Sequence, residues 1–439
     1  MINILVDAYA VSPNWGSEPG MGWNWICNLA RYCNLFIITE GEWQREIETA
    51  IGAAIAGNMD KTVNPTGLTK EQAVNMHFFY VPVDDNPEEC DAIRRMCWNQ
   101  GTWQFYYYYA RWEKKVLDRA KQIIAERKGT KLEINISHKL NMISYREPGY
   151  LWKIKDVPFV WGPVGGYGFY PLAFLKEESI SAKLKIFVKN ALIWLTFRYQ
   201  PRVRKAMKAA EFVVSAYREN AVETTKVYHK PYLQINETGA HINSLSEPHQ
   251  SNDSSFRLMW VGKYDHRKQL GIALHTMALL KDKSNIQLDV LGSGYEEDVK
   301  RYTKMVEDLG LQNTVHLLGK VPNVEIRERM QRADLFFFTS VDDATSTVVP
   351  EAIGAGLPVI CHALLGFGDI VDENMGRKIP AVNPDESAKC FARVISELEA
   401  DRKEVNRLSA NCIKKQYEIS WDANARKMVA EYERILQKN

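Results

Sequence analysis

Two acids, Asp343 and Glu351, stand eight positions apart in TSVDDATSTVVPEAIGAGLPVIC (339–361) and bracket what reads as a helix start. DLFFFTS before them is the apolar run of a buried parallel strand. Gly354, Gly356 and Pro358 stop a short helix after them, and LPVIC begins another strand. Pro350 has no backbone N–H to donate and belongs in the first helical turn, which places the cap near Thr345, Ser346 or Thr347. A helix start with free amides at the carboxyl end of a parallel strand suits phosphates and sugar hydroxyls. VGKYDHRKQLG supplies cations: Lys263 and Lys268 leave another predicted strand end around Asp265, His266 and Arg267, a set fitted to a diphosphate. In GSEPGMGW (16–23), Gly16, Gly20 and Gly22 allow close backbone approach to a ligand, although the spacing is not that of a dinucleotide fingerprint. GPVGGYG (162–168) is a further glycine-rich loop, and His138 ends a strand at ISHKLN with Arg146 soon after. Each feature alone has a plainer reading: a solvated basic turn, a tight turn into a helix, a hydrogen-bonded structural histidine, a Glu on a helix dipole. All of them fall at strand carboxyl ends, where doubly wound sheets place their ligands.

The elements that must position these residues come in two alternations of strand and helix. Strands are expected at 2–8, 35–39, 77–83, 132–138, 158–164, 211–216 and 231–236, with one long helix over 91–128 carrying the aromatic cluster Trp98 to Trp112. A second series starts afresh at 257–263, 286–294, 314–320, 334–340 and 357–362. The pattern predicts an α/β protein of two Rossmann-like, doubly wound domains facing each other across a cleft. The expected boundaries are 1–241, a polar linker at 242–256, and 257–420, with a C-terminal helix at 421–439 free to pack back on the first domain.

Hydrophobic residues at 46% of 439 suit two cores, and a net charge of +2 gives no overall bias towards nucleic acid. Seven cysteines without a CxxC pair point to reduced thiols and a cytoplasmic setting. The opening MINILVDAYA lacks the basic start of a signal peptide, and no apolar run of about 18 residues follows, so no membrane span is expected.

These residues resemble the family 4 retaining glycosyltransferases, which have the GT-B fold, and the likeness covers nearly the whole chain. Its most specific part is the carboxylate pair with seven residues between, followed by EAIGAGLPVI, which is similar to the family's Glu-x7-Glu segment. VGKYDHRK resembles the strand and basic pair that hold the donor diphosphate, with Lys263 where Arg is usual and Lys268 at the Lys position. GSEPGMGW resembles the N-domain glycine loop near diphosphate and acceptor. The resemblance implies that Glu351 binds the ribose hydroxyls, Asp343 the transferred sugar, and the amides around Ser346 and Thr347 the sugar or distal phosphate. It places His138 close to the anomeric carbon. Asp343 in place of the usual Glu, and Ala344-Thr345-Ser346 in place of Gly-Phe-Gly, imply an unusual sugar or an altered pose. The reaction implied is a retaining, metal-independent transfer from a nucleotide-diphospho-sugar, with Lys263, Lys268 and loop amides steadying the departing diphosphate. No cofactor is expected, and no metal, because the only paired aspartates, Asp84-Asp85 and Asp342-Asp343, are adjacent rather than presented as DxD.

No acid lies between Glu178 and Glu211, while Lys183, Lys185, Lys189, Arg198 and Arg202 are interleaved with Phe187, Ile193, Trp194 and Phe197. This helical stretch reads as a surface for an anionic membrane or a lipid-diphosphate acceptor, or else as a core helix with a solvated basic face. The sequence thus predicts a cytoplasmic sugar transferase, peripheral on the inner face of a membrane, acting on a glycan or lipid-linked saccharide. A nucleotide-sugar epimerase or hydrolase of the same architecture, or a nucleotide-sugar-binding partner without activity, are the alternatives.

Overall fold

The computed structural model describes residues 1–97, 102–176, 180–242, 247–251 and 255–438. Trp98 and parts of the expected linker, 243–246 and 252–254, therefore lie outside the described residues. The chain divides into two compact units, one of Met1–Tyr167, Ile193–Glu237 and Trp421–Asn439, the other of Gly168–Leu192 and Thr238–Ser420. The stretch 168–192, within the expected N-terminal domain, belongs instead to the second unit.

In the first unit, β1 (Ile2–Ala8), β2 (Cys33–Thr39), β3 (Met76–Tyr80), β4 (Ile136–Asn141), β5 (Phe159–Val164) and β6 (Phe212–Ser215) form one parallel sheet in the order β3-β2-β1-β4-β5-β6. Sheets covered on both faces favour continuous apolar strands, as INILVDA and NLFIIT show. Strand β4 departs from that rule. The expected strand 132–138 is displaced to Ile136–Asn141, and Ser137, His138, Lys139 and Asn141 are all buried. Each of these polar groups has a specific partner inside the unit, which lets a polar strand occupy the centre of a sheet. The expected strand 231–236 is reduced to a single bridge between Gln234 and Ser215. The long helix expected over 91–128 is two, Pro87–Cys97 and Trp103–Arg127. Trp421, Ala425, Met428, Tyr432 and Ile435 recur at helical spacing along Trp421–Leu436 and enter the core of this unit.

In the second unit, β7 (Phe256–Val261), β8 (Ile286–Leu291), β9 (Val315–Gly319), β10 (Leu335–Phe338), β11 (Val359–His362) and β12 (Gly376–Ile379) are parallel in the order β12-β11-β10-β7-β8-β9. The sequence reading missed β12, whose GRKI is half-exposed at the sheet edge. Strand order reverses between β7 and β10 here, and between β1 and β4 in the first unit, so each sheet has a topological switch point. Ligands of open α/β sheets bind outside the carboxyl ends of the strands at such points.

Candidate functional site

The loop leaving β7 is held from three sides. Gly262 N donates to Leu291 O at 3.0 Å, and Tyr264 N to Ser293 O at 3.0 Å, which ties the loop to the end of β8. Val341 N and Ser340 Oγ both donate to Arg267 O, at 2.9 and 3.1 Å, and Thr339 Oγ1 donates to Lys268 O at 2.8 Å, which ties it to the end of β10. Inside the loop, Asp265 Oδ1 accepts from Arg267 N at 3.0 Å and Lys268 N at 3.2 Å, while its Oδ2 takes the Arg267 guanidinium at 2.7 Å. Burial alone would raise the Asp265 carboxyl, but Arg267 and the two amides override it and hold it below its ordinary value. Of the cluster read from sequence, Asp265 and Arg267 thus serve the loop's own shape. Lys263 is exposed, and Lys268 is half-buried beside the Phe338 ring.

Gly292 ends β8 with φ +137°, and a Cβ there would lie 1.8 Å from Gly262 O. No side chain fits. We expect Gly292→Ala to push the β7 loop aside and destabilise the fold by about 1–3 kcal/mol, the usual cost of forcing backbone to shift around an added group. The melting curve of the variant checks this.

At the end of β10, Asp343 forms an ion pair with Lys268 through Oδ2, although the two are 75 residues apart in sequence. Ser346 adopts φ +54°, and the short helix Val348–Gly354 starts at Thr347, within the cap region expected from Pro350. Ser346 is buried and Thr347 exposed. Glu351, in the first turn, is half-buried; burial raises its carboxyl above the ordinary value and the charge of Arg327 opposes the rise. The second unit therefore brings Lys263, Lys268, Asp343, Ser346, Thr347 and Glu351 to the carboxyl ends of β7 and β10. That set offers two cations for a diphosphate and two carboxylates for hydroxyls.

In the first unit the outcome differs. His138 is fully buried: Nδ1 lies 2.6 Å from Tyr432 Oη and Nε2 2.5 Å from Gly162 O. Both ring nitrogens are engaged within the unit, so the sugar contact expected of His138 is replaced by a link between β4 and the C-terminal helix. Burial lowers its pKa to about 4, against the pull of the Gly162 carbonyl, and His362 is likewise lowered to about 4. The unfolded chain, with histidines near 6.5, binds these two protons while the folded chain does not. Their contribution is present above pH 6.5 and lost as pH falls towards 4. Urea unfolding at several pH values should show this loss reduced in His138→Gln by about 1.4 kcal/mol per pH unit across that window.

The glycines also behave unexpectedly. A Cβ at Gly20 would lie 2.1 Å from Trp15 O, and one at Gly22 would lie 2.4 Å from Ala10 O and 2.6 Å from Asn141 Nδ2. Both are needed for packing of the chain against itself rather than for approach to a ligand; only Gly16, which caps Ser17–Leu29, faces open space. Sequence reasoning passed over Glu18 in the same loop. Its Oε1 accepts from Ile143 N at 2.8 Å, and burial pushes its carboxyl up to about 7, against the Ile143 amide and Lys139. As the one acid of GSEPGMGW, it was there to be noticed.

Of the cations expected to meet acceptor or membrane, Arg202 pairs with Glu147 at 2.7 Å, Arg198 with Glu223, and Lys189 with Asp342 at 3.2 Å. Lys183 donates to Lys176 O at 2.9 Å, and Lys185 is exposed.

Residues 242–415 match the model of the family Glycosyl transferases group 1. An uncharacterized glycosyltransferase of Methanocaldococcus jannaschii is 28% identical over 183 residues, 41% of this chain and 45% of that protein. The lipopolysaccharide glucosyltransferase WaaG of Escherichia coli is 30% identical over 125 residues, 28% of this chain and 32% of WaaG. The matched region thus spans less than half the length of these curated relatives. Among solved structures, the sucrose-phosphate synthase of Thermosynechococcus elongatus superposes with a TM-score of 0.61 at 14% identity, over 100% of both chains. HepE of Anabaena in complex with UDP superposes with a TM-score of 0.59 at 13% identity, over 99% of this chain and 100% of that one. These likenesses show the GT-B fold.

Proposed function

We propose, for a chain that belongs to the glycosyl transferases group 1 family through residues 242–415, that it transfers a sugar with retention from a nucleotide-diphospho-sugar, a UDP-sugar being the first candidate. The acceptor in this reading is a glycan or lipid-linked saccharide of surface polysaccharide biosynthesis, met at the cytoplasmic face of a membrane. The observation that carries the proposal is the convergence of Lys263, Lys268, Asp343 and Glu351 at one switch point. Relatives named for amylovoran and lipopolysaccharide synthesis support the acceptor class, and the UDP complex of HepE supports the donor class.

In this mechanism Glu351 accepts hydrogen bonds from the ribose hydroxyls, and Lys263 and Lys268 meet the diphosphate, with amides at Ser346 and Thr347 near the sugar. The bound diphosphate draws Lys268 from Asp343, which frees that carboxylate for the sugar hydroxyls. Cleavage of the anomeric C–O bond leaves its electron pair on the distal phosphate and oxocarbenium character on the sugar. Fixed cations lower that barrier without a metal. The acceptor oxygen then bonds to the anomeric carbon on the face the diphosphate leaves, and its proton passes to a phosphate oxygen.

The test is to incubate the full chain with UDP-, GDP- and ADP-sugars and glycolipid extracts, following nucleoside diphosphate release and the anomeric configuration of product by NMR. Acceptor-dependent release with retained configuration supports the reading. Inversion would overturn the mechanism, and release unaffected by acceptor would favour a hydrolase.

A further inference from the structure

Helix Ile180–Tyr199 contains no acid and carries apolar side chains on two opposite sides. At 3.6 residues per turn, Ile186, Ile193 and Phe197 fall on one side, and the last two are buried, Phe197 stacked on Tyr167 at 4.3 Å. The same winding brings Ile180, Leu184, Phe187 and Val188 together on the other side, and Arg198, at the angle of Ile180 five turns on, ends the stripe. These are exposed, with Ile180 at 84%, Leu184 at 62% and Phe187 at 59%. Single exposed apolar residues need no explanation, but a continuous stripe on one helix does. Lys183 borders this outer face on one edge and Lys185 on the other.

We propose that the outer face of helix Ile180–Tyr199 lies in the plane of a lipid bilayer, with its apolar side chains inserted among the acyl chains at the headgroup boundary. Lysines along both edges of an apolar stripe can lay their stems on hydrocarbon and keep their ammonium groups among phosphates. A second copy of the helix is a poorer occupant, because it would add more lysines and no acid along the contact. Spanning is not at issue: among the described residues, no helix is long and apolar enough to cross a membrane.

Sequence alone suggests an electrostatic contact, and the structure changes that emphasis. Lys189, Arg198 and Arg202 are already paired with Asp342, Glu223 and Glu147, so attraction to anionic lipid is secondary to apolar insertion. This deepens the reading of a lipid-linked acceptor and rests on it for the relevance of a bilayer, while the contact itself can be measured with no sugar present.

The experiment is flotation of the full chain with vesicles of phosphatidylcholine alone, and of phosphatidylcholine with about 30% phosphatidylglycerol, at low salt and at about 1 M NaCl, where the screening length is about 3 Å. Binding to both vesicles at both salts is expected. Leu184→Ser and Phe187→Ser should each weaken it by about tenfold, as expected for a large apolar side chain withdrawn from lipid. Both residues are exposed, so an unchanged melting temperature and near-UV spectrum will verify the fold, and Lys185→Gln should still bind phosphatidylcholine. No binding to either vesicle overturns the proposal, as does binding to anionic vesicles alone that is lost in high salt. A dimer in solution that Phe187→Ser dissociates would assign the face to a second copy. Failure of the transferase reading appears separately, as absence of donor turnover in a chain that still floats.

Discussion

Lys268→Ala is expected to reduce sugar transfer by roughly a hundred- to a thousandfold, the range found when one preorganised donor to a developing anion is removed. The loss should fall mainly on kcat, because charge on the diphosphate is greatest in the transition state; the weaker effect on KM corresponds to a ground-state contact of about 1.5–3 kcal/mol. Asp343 complicates the variant, since Lys268 is its ion-pair partner. Removing Lys268 leaves a half-buried carboxylate beside an approaching diphosphate, and repulsion adds to the lost attraction. The pair Lys268→Ala and Lys268→Ala/Asp343→Asn separates the two terms in steady-state kinetics. If repulsion matters, the double variant recovers part of the loss in both KM and kcat relative to Lys268→Ala.

Lys139→Ala is expected to destabilise the first unit by about 3–5 kcal/mol, the cost of breaking a buried charge pair by deleting one partner. Lys139 lies 3.2 Å from Asp7 Oδ2, bonds Glu113, and donates to Tyr109 Oη at 2.6 Å. Its side chain is 1% exposed, while Asp7 and Glu113 are fully buried. Burial would lower the Lys139 pKa, but the two carboxylates reverse this and hold the ammonium charged. Burial, with the charge of Glu113, raises the Asp7 carboxyl well above its ordinary value, against the pull of Lys139. Because the folded value of Asp7 exceeds the unfolded one, its contribution is present at low pH and is lost as pH rises, opposite in sign to the buried histidines. Without Lys139, both acids must be neutral or pay for burial unpaired. Urea unfolding followed in the first unit should show the loss, and Asp7→Asn/Glu113→Gln/Lys139→Met should regain most of it. A loss below about 1 kcal/mol for Lys139→Ala would place the cluster in contact with water.

The apolar strands were legible because parallel sheets covered on both faces need continuous hydrophobic runs, and LFFF and LVD-type segments have few other uses. Strand β4 was misplaced for the converse reason. Ser137, His138, Lys139 and Asn141 read as exposed, and nothing local reveals that Asp7, Ala10 and Tyr432 will satisfy them inside the core. The sugar contact expected of His138 came from the resemblance, whereas the residues alone offered a hydrogen-bonded structural histidine as the plainer reading. Gly20 and Gly22 were recognised as necessary, but their neighbours Trp15 O and Ala10 O are set by a fold that spacing does not report. The grouping of Asp343 with Glu351 was legible because one helix start carries both. The pairing of Asp343 with Lys268 was not, since it depends on β7 and β10 being adjacent in the sheet although two strands separate them in the chain.

The most direct measurement is a melting-temperature titration of the wild-type chain, Lys268→Ala and Glu351→Gln with a panel of UDP-, GDP- and ADP-sugars. A ligand that binds only the folded state stabilises it by about 2.7 kcal/mol at a hundred times its Kd. One nucleotide-sugar should raise the wild-type melting temperature, with the shift abolished in Lys268→Ala and reduced in Glu351→Gln. No shift with any donor in a folded sample, or an equal shift in all three chains, would contradict a donor site at the carboxyl ends of β7 and β10.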